Sequence, residues 1–177
     1  MRPEPPNILV AGGGPAGVLC ALLFARRGLQ TTLVERSSSL AKWDASRSYS
    51  INLNARGCSS LEKAGLLSAV QARSAVRNAV VLHRAGGGEP ATIPRSPPHL
   101  AISRTDLTEC LLGAADAEPL ISFISGREVQ SVVRDPSRSG ILHASLDNGM
   151  TLSCTHLIGA DGKRSRVRAA AAAAAAA

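Results

Sequence analysis

The chain has 177 residues, 45% of them hydrophobic, with a mean hydropathy of +0.08. That is the balance of a globular protein long enough for one domain with a real core. Its formal net charge of +7 is carried almost wholly by arginine, since Lys42, Lys63 and Lys163 are the only lysines, while aromatic residues make up only 2%. Scattered arginines without aromatic stacking platforms or a recognition motif argue against nucleic acid as a partner. Apart from the alanine tail, no stretch approaches the roughly 18 consecutive apolar residues of a membrane span.

Only Met1 to Pro6 precede the first strand, too few for a targeting segment within this numbering. The run Ile8-Leu9-Val10-Ala11 then breaks into Gly12-Gly13-Gly14-Pro15-Ala16-Gly17. The pattern predicts a strand, a tight turn and a helix from about Pro15 to Arg27, with Gly28 as its stop. Gly12, Gly14 and Gly17 stand at the three glycine positions of a dinucleotide fingerprint: tight turn, close backbone approach to a pyrophosphate, and helix packed on strand. Free N–H groups and the helix dipole would face the phosphates. A second strand, Thr31 to Glu35, ends in an acid eighteen positions after Gly17, where such folds place the carboxylate that bonds a ribose hydroxyl.

Beyond the polar loop Arg36-Ser37-Ser38-Ser39, no period persists from Trp43 to Asn54, and this stretch reads as a ligand-facing loop carrying Arg47. Asn54 is expected to cap a helix to about Ala64, with Cys58, Leu61 and Ala64 on one side and Gly65 ending it. Two strands, Ala79 to His83 and Glu89 to Ile93, follow as a hairpin joined by Ala85-Gly86-Gly87-Gly88, after which Pro94 to Pro98 breaks the pattern. Ser103 and Asp106 fit a capping box for a helix bearing Leu107, Leu111 and Ala114. Arg104 then lies at a helix N-terminus, where a cation is unfavourable unless an anion is near.

From Leu120 the chain turns to strands: 120–124, 128–134, 141–146 and 150–154, the last two joined through Asn148-Gly149, a strong hairpin signal. His156 to Ala160 is a further strand running into the turn Asp161-Gly162-Lys163-Arg164-Ser165-Arg166-Val167-Arg168. Residues 169–177 are nine alanines, which read as a helix and carry no side-chain information, as expected of a run whose side chains are unidentified. Cys20, Cys58, Cys110 and Cys154 form no C-x-x-C pair, which points to buried free thiols in a reducing compartment, with no metal site.

Gly12 to Gly17 with Glu35, Ile102-Ser103-Arg104 before a helix, and Gly159 to Arg168 together resemble the FAD-dependent aromatic-ring hydroxylases. The closing stretch is similar to that family's Asp-Gly motif. Arg47 to Asn54 with Gly57, Leu61 and Gly65-Leu66 is most similar to the family's kynurenine-hydroxylating branch. The resemblance covers residues 7 to 168 and implies an α/β, Rossmann-like FAD-binding domain over 1–168, with a parallel sheet, a β-meander and, at 79–93, the beginning of a substrate-domain hairpin. It further implies FAD as cofactor, NAD(P)H as co-substrate and a small-molecule substrate. Gly12, Gly14, Pro15, Ala16 and Gly17 would lie at the pyrophosphate, Glu35 and Arg36 at the adenosine end, Arg47 and Arg104 along the phosphates and flavin, and Asp161 in the Asp-Gly motif; the catalytic residues remain unassigned.

Three departures qualify that picture. The family continues beyond this point into a Gly-Asp motif and most of a substrate sheet. Val80 stands where the kynurenine branch has a carboxylate-gripping arginine, and Pro97-Pro98-His99 occupies the region of a substrate-side tyrosine. Two readings follow: the FAD-binding portion of a monooxygenase, or a non-catalytic hydroxylase-like subunit that neighbouring protein chains would cover. On either, Val81, Ile93, Val132 and Leu142 are expected to form an uncovered apolar patch.

Overall fold

The computed structural model describes residues 5–38 and 49–176. Along the chain run β1 (Asn7–Ala11), α1 (Pro15–Ala25), β2 (Gln30–Glu35), β3 (Ser50–Leu53), α2 (Ala55–Lys63), α3 (Leu67–Gln71), β4 (Ala75–Leu82) and β5 (Ala91–Ser103). They are followed by α4 (Arg104–Asp116), β6 (Ile121–Ser125), β7 (Val129–Arg134), β8 (Leu142–Leu146), β9 (Thr151–Cys154), β10 (His156–Gly159) and α5 (Arg166–Ala176). The chain forms two compact units, Met1–Trp43 with Leu111–Ala177, and Asp44–Cys110.

The first unit holds a four-stranded parallel sheet in the order β10-β1-β2-β6. β1 is buried from Ile8 to Ala11, which is why its sequence is a continuous apolar run: a parallel strand covered on both faces has no polar side to alternate with. On α1, Val18, Ala21, Leu22 and Ala25 are buried at helical spacing. The chain leaves the helix through Gly28 at φ +77, where Leu29 N–H donates to the Phe24 carbonyl. That left-handed exit is cheap only for glycine.

An antiparallel meander, β7-β8-β9, completes the unit. Val129, Ala144, Leu146 and Cys154 from the meander share a core with Leu9, Ala11, Val34 and Val167. Val132 and Leu142 also pack, partly buried, against this core, so the expected patch of four residues is corrected: the core of the same unit, to which α5 contributes Val167, covers these two in part. Each such burial contributes roughly 1.5–3 kcal/mol. Between β8 and its neighbours the His143 ring bridges Asp135 Oδ2 (2.9 Å) and Ser153 Oγ (3.1 Å). The Ser137 N–H and His143 hold the Asp135 carboxyl below its ordinary value.

The second unit is built on the antiparallel sheet β3-β5-β4. Asn54 caps α2 as expected, its Oδ1 accepting from the N–H groups of Arg56 and Gly57, and Gly65 ends the turn at φ +71. Leu61, Ala64, Val70, Leu100, Ile102 and Leu107 supply buried side chains.

Several boundaries differ from the sequence reading. Ser50–Leu53 is a strand paired to Leu100–Ser103 rather than loop; four residues are too few for their alternation to stand out. Pro94 to Pro98 does not end the second strand of the hairpin, because β5 runs to Ser103. The prolines are accommodated by an irregularity in the ladder: Ala79 pairs with Pro94 but Arg77 with His99, which leaves 95–98 outside the β4 register. A missing N–H costs nothing where no ladder bond is made. β4 begins four residues earlier than expected, and the short helix α3 was not anticipated. Val76, Val81, Leu82 and Ile93 remain exposed on the hairpin.

Candidate functional site

In the parallel sheet β1 lies between β10 and β2, so the chain leaves β1 toward one neighbour and later returns to the other side. The carboxyl ends of these strands flank a reversal of strand order, where open α/β sheets place their ligands. Ala11, Glu35 and Gly159 stand at that end.

The glycine turn is shaped by close approaches on three of its four glycines. A Cβ on Gly12, which sits at φ +110, would strike the Ala160 carbonyl; one on Gly13 would come within 2.7 Å of the Glu35 Cβ. A Cβ on Gly17 would overlap the Gly12 carbonyl oxygen and lie 3.2 Å from the Ala160 Cβ. Gly14 is different. Its backbone is extended (φ −69, ψ 171), and an added Cβ would meet nothing within 4 Å.

Gly14 is also the N-cap of α1, without any side-chain cap, and Pro15 follows it. The N–H groups of Ala16 and Gly17 belong to the first helical turn, which has no preceding carbonyls to pair with. Open space above Gly14, orphan donors and the positive end of the helix dipole together suit a phosphate.

Glu35 is already engaged. Its Oε2 accepts from Gly13 N–H at 2.6 Å and its Oε1 from Ser37 N–H at 2.8 Å, so this carboxylate ties the end of β2 to the glycine turn. The turn is pinned from the same strand by the Gly12 N–H donating to the Val34 carbonyl at 2.7 Å. Arg36 points outward, its side chain 73% exposed and 3.9 Å from Glu128, which also receives Arg166 at 3.3 Å.

Asp161 acts on α5. Its Oδ1 accepts from the Ser165 hydroxyl at 2.5 Å, and its Oδ2 from the N–H groups of Arg166 (2.7 Å) and Val167 (3.3 Å), the first turn of the helix. Partial burial pushes this carboxyl up, but the Ser165 hydroxyl and the Val167 and Arg166 N–H groups outweigh it, and the net displacement is downward. The group therefore stabilises the fold fully above the ordinary value of 3.8, and the contribution is lost as pH falls through the lower folded value. Asp161→Asn is expected to cost about 1 kcal/mol near neutral pH, and the gap from wild type should narrow progressively in acid below the ordinary value of 3.8. Urea unfolding at neutral and at acid pH measures it; a gap that persists unchanged in acid would contradict the capping role.

Gly12, Gly14, Pro15, Ala16, Gly17, Glu35, Arg36 and Asp161 thus all fall in the first unit, and the turn, Glu35 and Asp161 cluster at the sheet's carboxyl end. Arg104 belongs to the second unit, where it opens α4 and its N–H donates to the Tyr49 carbonyl at 3.0 Å. Arg47 lies outside the described residues. The roles of Gly13, Ala160 and Ser165 were missed from sequence. Ser165 could have been found as a serine four residues beyond Asp161 and just before a helix. Of the cysteines, all free, Cys154 is buried and its thiol pushed up to about 11, while Cys20, Cys58 and Cys110 are only partly buried. Among the described residues no helix is long and apolar enough to cross a membrane, and no cluster could hold a metal.

Parallel sheet, glycine turn and helix N-terminus define a dinucleotide-binding fold, and comparison with known proteins narrows it. A family model described as FAD binding domain matches residues 6–176, and the chain belongs to that family. It is 30% identical over 169 residues to kynurenine 3-monooxygenase of Salinispora arenicola, covering 92% of this chain and 37% of the relative. It is 30% identical over 182 residues to 6-methylpretetramide 4-monooxygenase of Streptomyces rimosus, covering 94% and 42%. Among solved structures, the tetrameric form of 2-methyl-3-hydroxypyridine-5-carboxylic acid oxygenase superposes with a TM-score of 0.79 at 25% identity, over 96% of this chain and 43% of that one. The chain spans about two fifths of the length of these relatives.

Proposed function

We propose that the chain is the FAD-holding portion of an NAD(P)H-dependent monooxygenase acting on a ring-bearing small molecule. The observation that carries this reading is the contrast within the glycine turn: Gly12, Gly13 and Gly17 are filled by the protein's own atoms, whereas Gly14 faces open space. A fold alone explains the first three glycines; a ligand explains the fourth. In this reading the Ala16 and Gly17 N–H groups bind the pyrophosphate, with Pro15 fixing the first helical turn. Glu35, locked onto Gly13 and Ser37, retains acceptor capacity for a ribose hydroxyl, with Arg36 beside it at the adenosine end. Asp161 acts by fixing α5 and, through Ala160, the wall against which Gly12 and Gly17 pack. Arg47 and Arg104 serve the phosphate and flavin side. Bound flavin would supply the redox chemistry with oxygen, the protein binding and orienting it.

The relatives are named for oxidising kynurenine, 6-methylpretetramide and a hydroxypyridine carboxylic acid, which supports a small aromatic substrate. Val80 in place of the kynurenine branch's arginine disfavours kynurenine itself. The test is gel filtration of the purified chain after incubation with FAD, followed by NADPH and aromatic acids. Flavin is expected to coelute with the chain and no hydroxylated product to form, because the relatives devote more than half their length to sequence this chain does not share. Absence of flavin from the protein peak would refute FAD holding; product formation would refute a merely FAD-holding portion.

A specific observation also favours the second reading, a non-catalytic subunit covered by neighbouring chains. Val76, Val81, Leu82 and Ile93 are each about half exposed on one hairpin, an arrangement typical of surfaces that meet another protein layer. Ile93, opposite Val80, lies on the same face as Leu82, and binding of a hydrophobic dye, lost in a Leu82→Lys, Ile93→Lys double variant, is expected of that uncovered face. A chain that binds no dye would count against it.

A further inference from the structure

A cluster of reactive side chains on the meander takes no part in the flavin site proposed above. Leu142, Ala144 and Leu146 of β8 pack into the core, so strand alternation puts His143 and Ser145 on the opposite face. The ladders set Val133 of β7 and Ser153 of β9 across from His143, and Ser131 and Thr151 across from Ser145. β9 is the last strand of this sheet, and Ser153 is exposed on it.

A carboxylate reaches the same ring from the end of β7. Asp135 stands at the base of the β7–β8 turn, where its N–H donates to the Ile141 carbonyl at 3.0 Å. Its Oδ1 accepts from the N–H groups of Ser137 (2.8 Å) and Arg138 (3.1 Å), which leaves Oδ2 for His143 Nε2 at 2.9 Å. The Ser137 N–H and His143 hold this carboxyl below its ordinary value, so at neutral pH it is ionised and can only accept. In the neutral ring Nε2 therefore carries the proton. Nδ1, 3.1 Å from Ser153 Oγ, is left as an acceptor for the serine hydroxyl. The side chains of His143 and Asp135 are 29% and 13% exposed, so their bond is largely shielded from water while the hydroxyl at the end of the chain is not.

Carboxylate, imidazole and hydroxyl joined in that order form the constellation that turns a serine into a nucleophile, and it is recognised by roles rather than by order along the chain. The two ring nitrogens are exchanged relative to serine proteases, Nε2 facing the acid and Nδ1 the hydroxyl. Either nitrogen of a neutral imidazole can accept a proton once the other is held. We propose that Ser153 is an acyl acceptor, activated by His143, and that this face of the meander is a second reaction site, for small activated esters. Ser153 Oγ attacks the ester carbonyl carbon while its proton passes to His143 Nδ1. The bond to the leaving oxygen breaks, and that oxygen departs with the electron pair and with the proton from His143 where its basicity requires one. Water then attacks the acyl-serine in the same way, releasing the carboxylic acid and restoring the hydroxyl. Nothing is oxidised or reduced, so the step needs neither flavin nor nicotinamide and goes beyond the monooxygenase reading. Asp135 is a positioning residue, fixing the tautomer and the ring. Ser153 stands among the short side chains of Ser131, Ser145 and Thr151, which suits a small acyl group such as acetyl.

Two reagents applied to the full chain without flavin test the proposal: 4-nitrophenyl acetate, read as nitrophenolate release, and a fluorophosphonate, read by mass-spectrometric peptide mapping. The fluorophosphonate is expected on Ser153, because its phosphorus takes the same attack, loses fluoride and leaves an adduct that water removes slowly. Nitrophenolate release should fall at least about tenfold in Ser153→Ala and in His143→Gln. Ser145→Ala, one row away on the same face, should release as wild type does. Ser153 is exposed, so Ser153→Ala should keep the wild-type thermal transition; should His143→Gln lose it, the map of the wild-type chain still decides. An unlabelled Ser153, equal labelling of Ser145 and Ser153, or ester release unaffected by Ser153→Ala would each overturn the acyl acceptor. Release unaffected in a folded His143→Gln would overturn its activation.

Discussion

Gly17→Ala is expected to destabilise the chain by about 3 kcal/mol or more, the largest effect of any single methyl group at the glycine turn. The added Cβ would occupy the position of the Gly12 carbonyl oxygen and press on Ala160. Neither neighbour can give way cheaply: Gly12 is pinned to the Val34 carbonyl, and the Ala160 N–H donates to the Ala11 carbonyl at 2.7 Å. The helix would have to lift from the sheet, exposing Val18, Ala21 and Leu22, all buried in the native packing. Thermal unfolding followed by far-ultraviolet circular dichroism measures the effect, and a transition within a degree or two of wild type would show that α1 is not held at this distance by the glycine.

Gly14→Val should behave in the opposite way. The backbone there is one that valine adopts readily, and its surroundings are empty, so stability is expected to change by no more than about 1 kcal/mol, the difference between glycine and valine at a helix N-cap. Flavin binding should weaken at least about a hundredfold, because the branched side chain fills the space through which a pyrophosphate reaches the Ala16 and Gly17 N–H groups. Equilibrium dialysis with FAD, alongside urea unfolding, separates the two quantities. A variant that keeps its affinity would place the phosphates elsewhere.

Opposite outcomes from two glycines three residues apart illustrate what the sequence shows and what it does not. The fingerprint names both positions and their chain-level context, since the buried parallel strand β1 reads as an apolar run and Gly28 and Asn54 announce helix ends in their own chemistry. Asn148-Gly149 likewise marks the β8–β9 hairpin, where Gly149 sits at φ +83. Which glycine the protein itself fills is not written locally. It depends on Ala160, nearly 150 residues away, being brought beside Gly12 by the pairing of β10 with β1.

The misses share that origin. Ser50–Leu53 becomes a strand because β5 is there to pair with it. Pro97 and Pro98 lie in a continuous strand because the β4 ladder is interrupted opposite 95–98, a fact of β4 rather than of the prolines, while Pro94 keeps its place opposite Ala79. Glu35 is legible as an acid at the end of β2, but its bond to Gly13 N–H follows from adjacent parallel strands ending at one level. Val132 and Leu142 look uncovered when the meander is considered alone; the shared core of the unit, including Val167 of α5, buries them in part.

In the proposed function this turn and its surroundings hold FAD by its dinucleotide half. Flavin fluorescence titration of the purified chain with FAD and with FMN tests it most directly, since FMN carries the same ring system but lacks the adenosine and the pyrophosphate bridge. Saturable binding of one FAD per chain is expected, with at least about a hundredfold weaker binding of FMN. Equal affinity for the two flavins, or no binding of either, would contradict it.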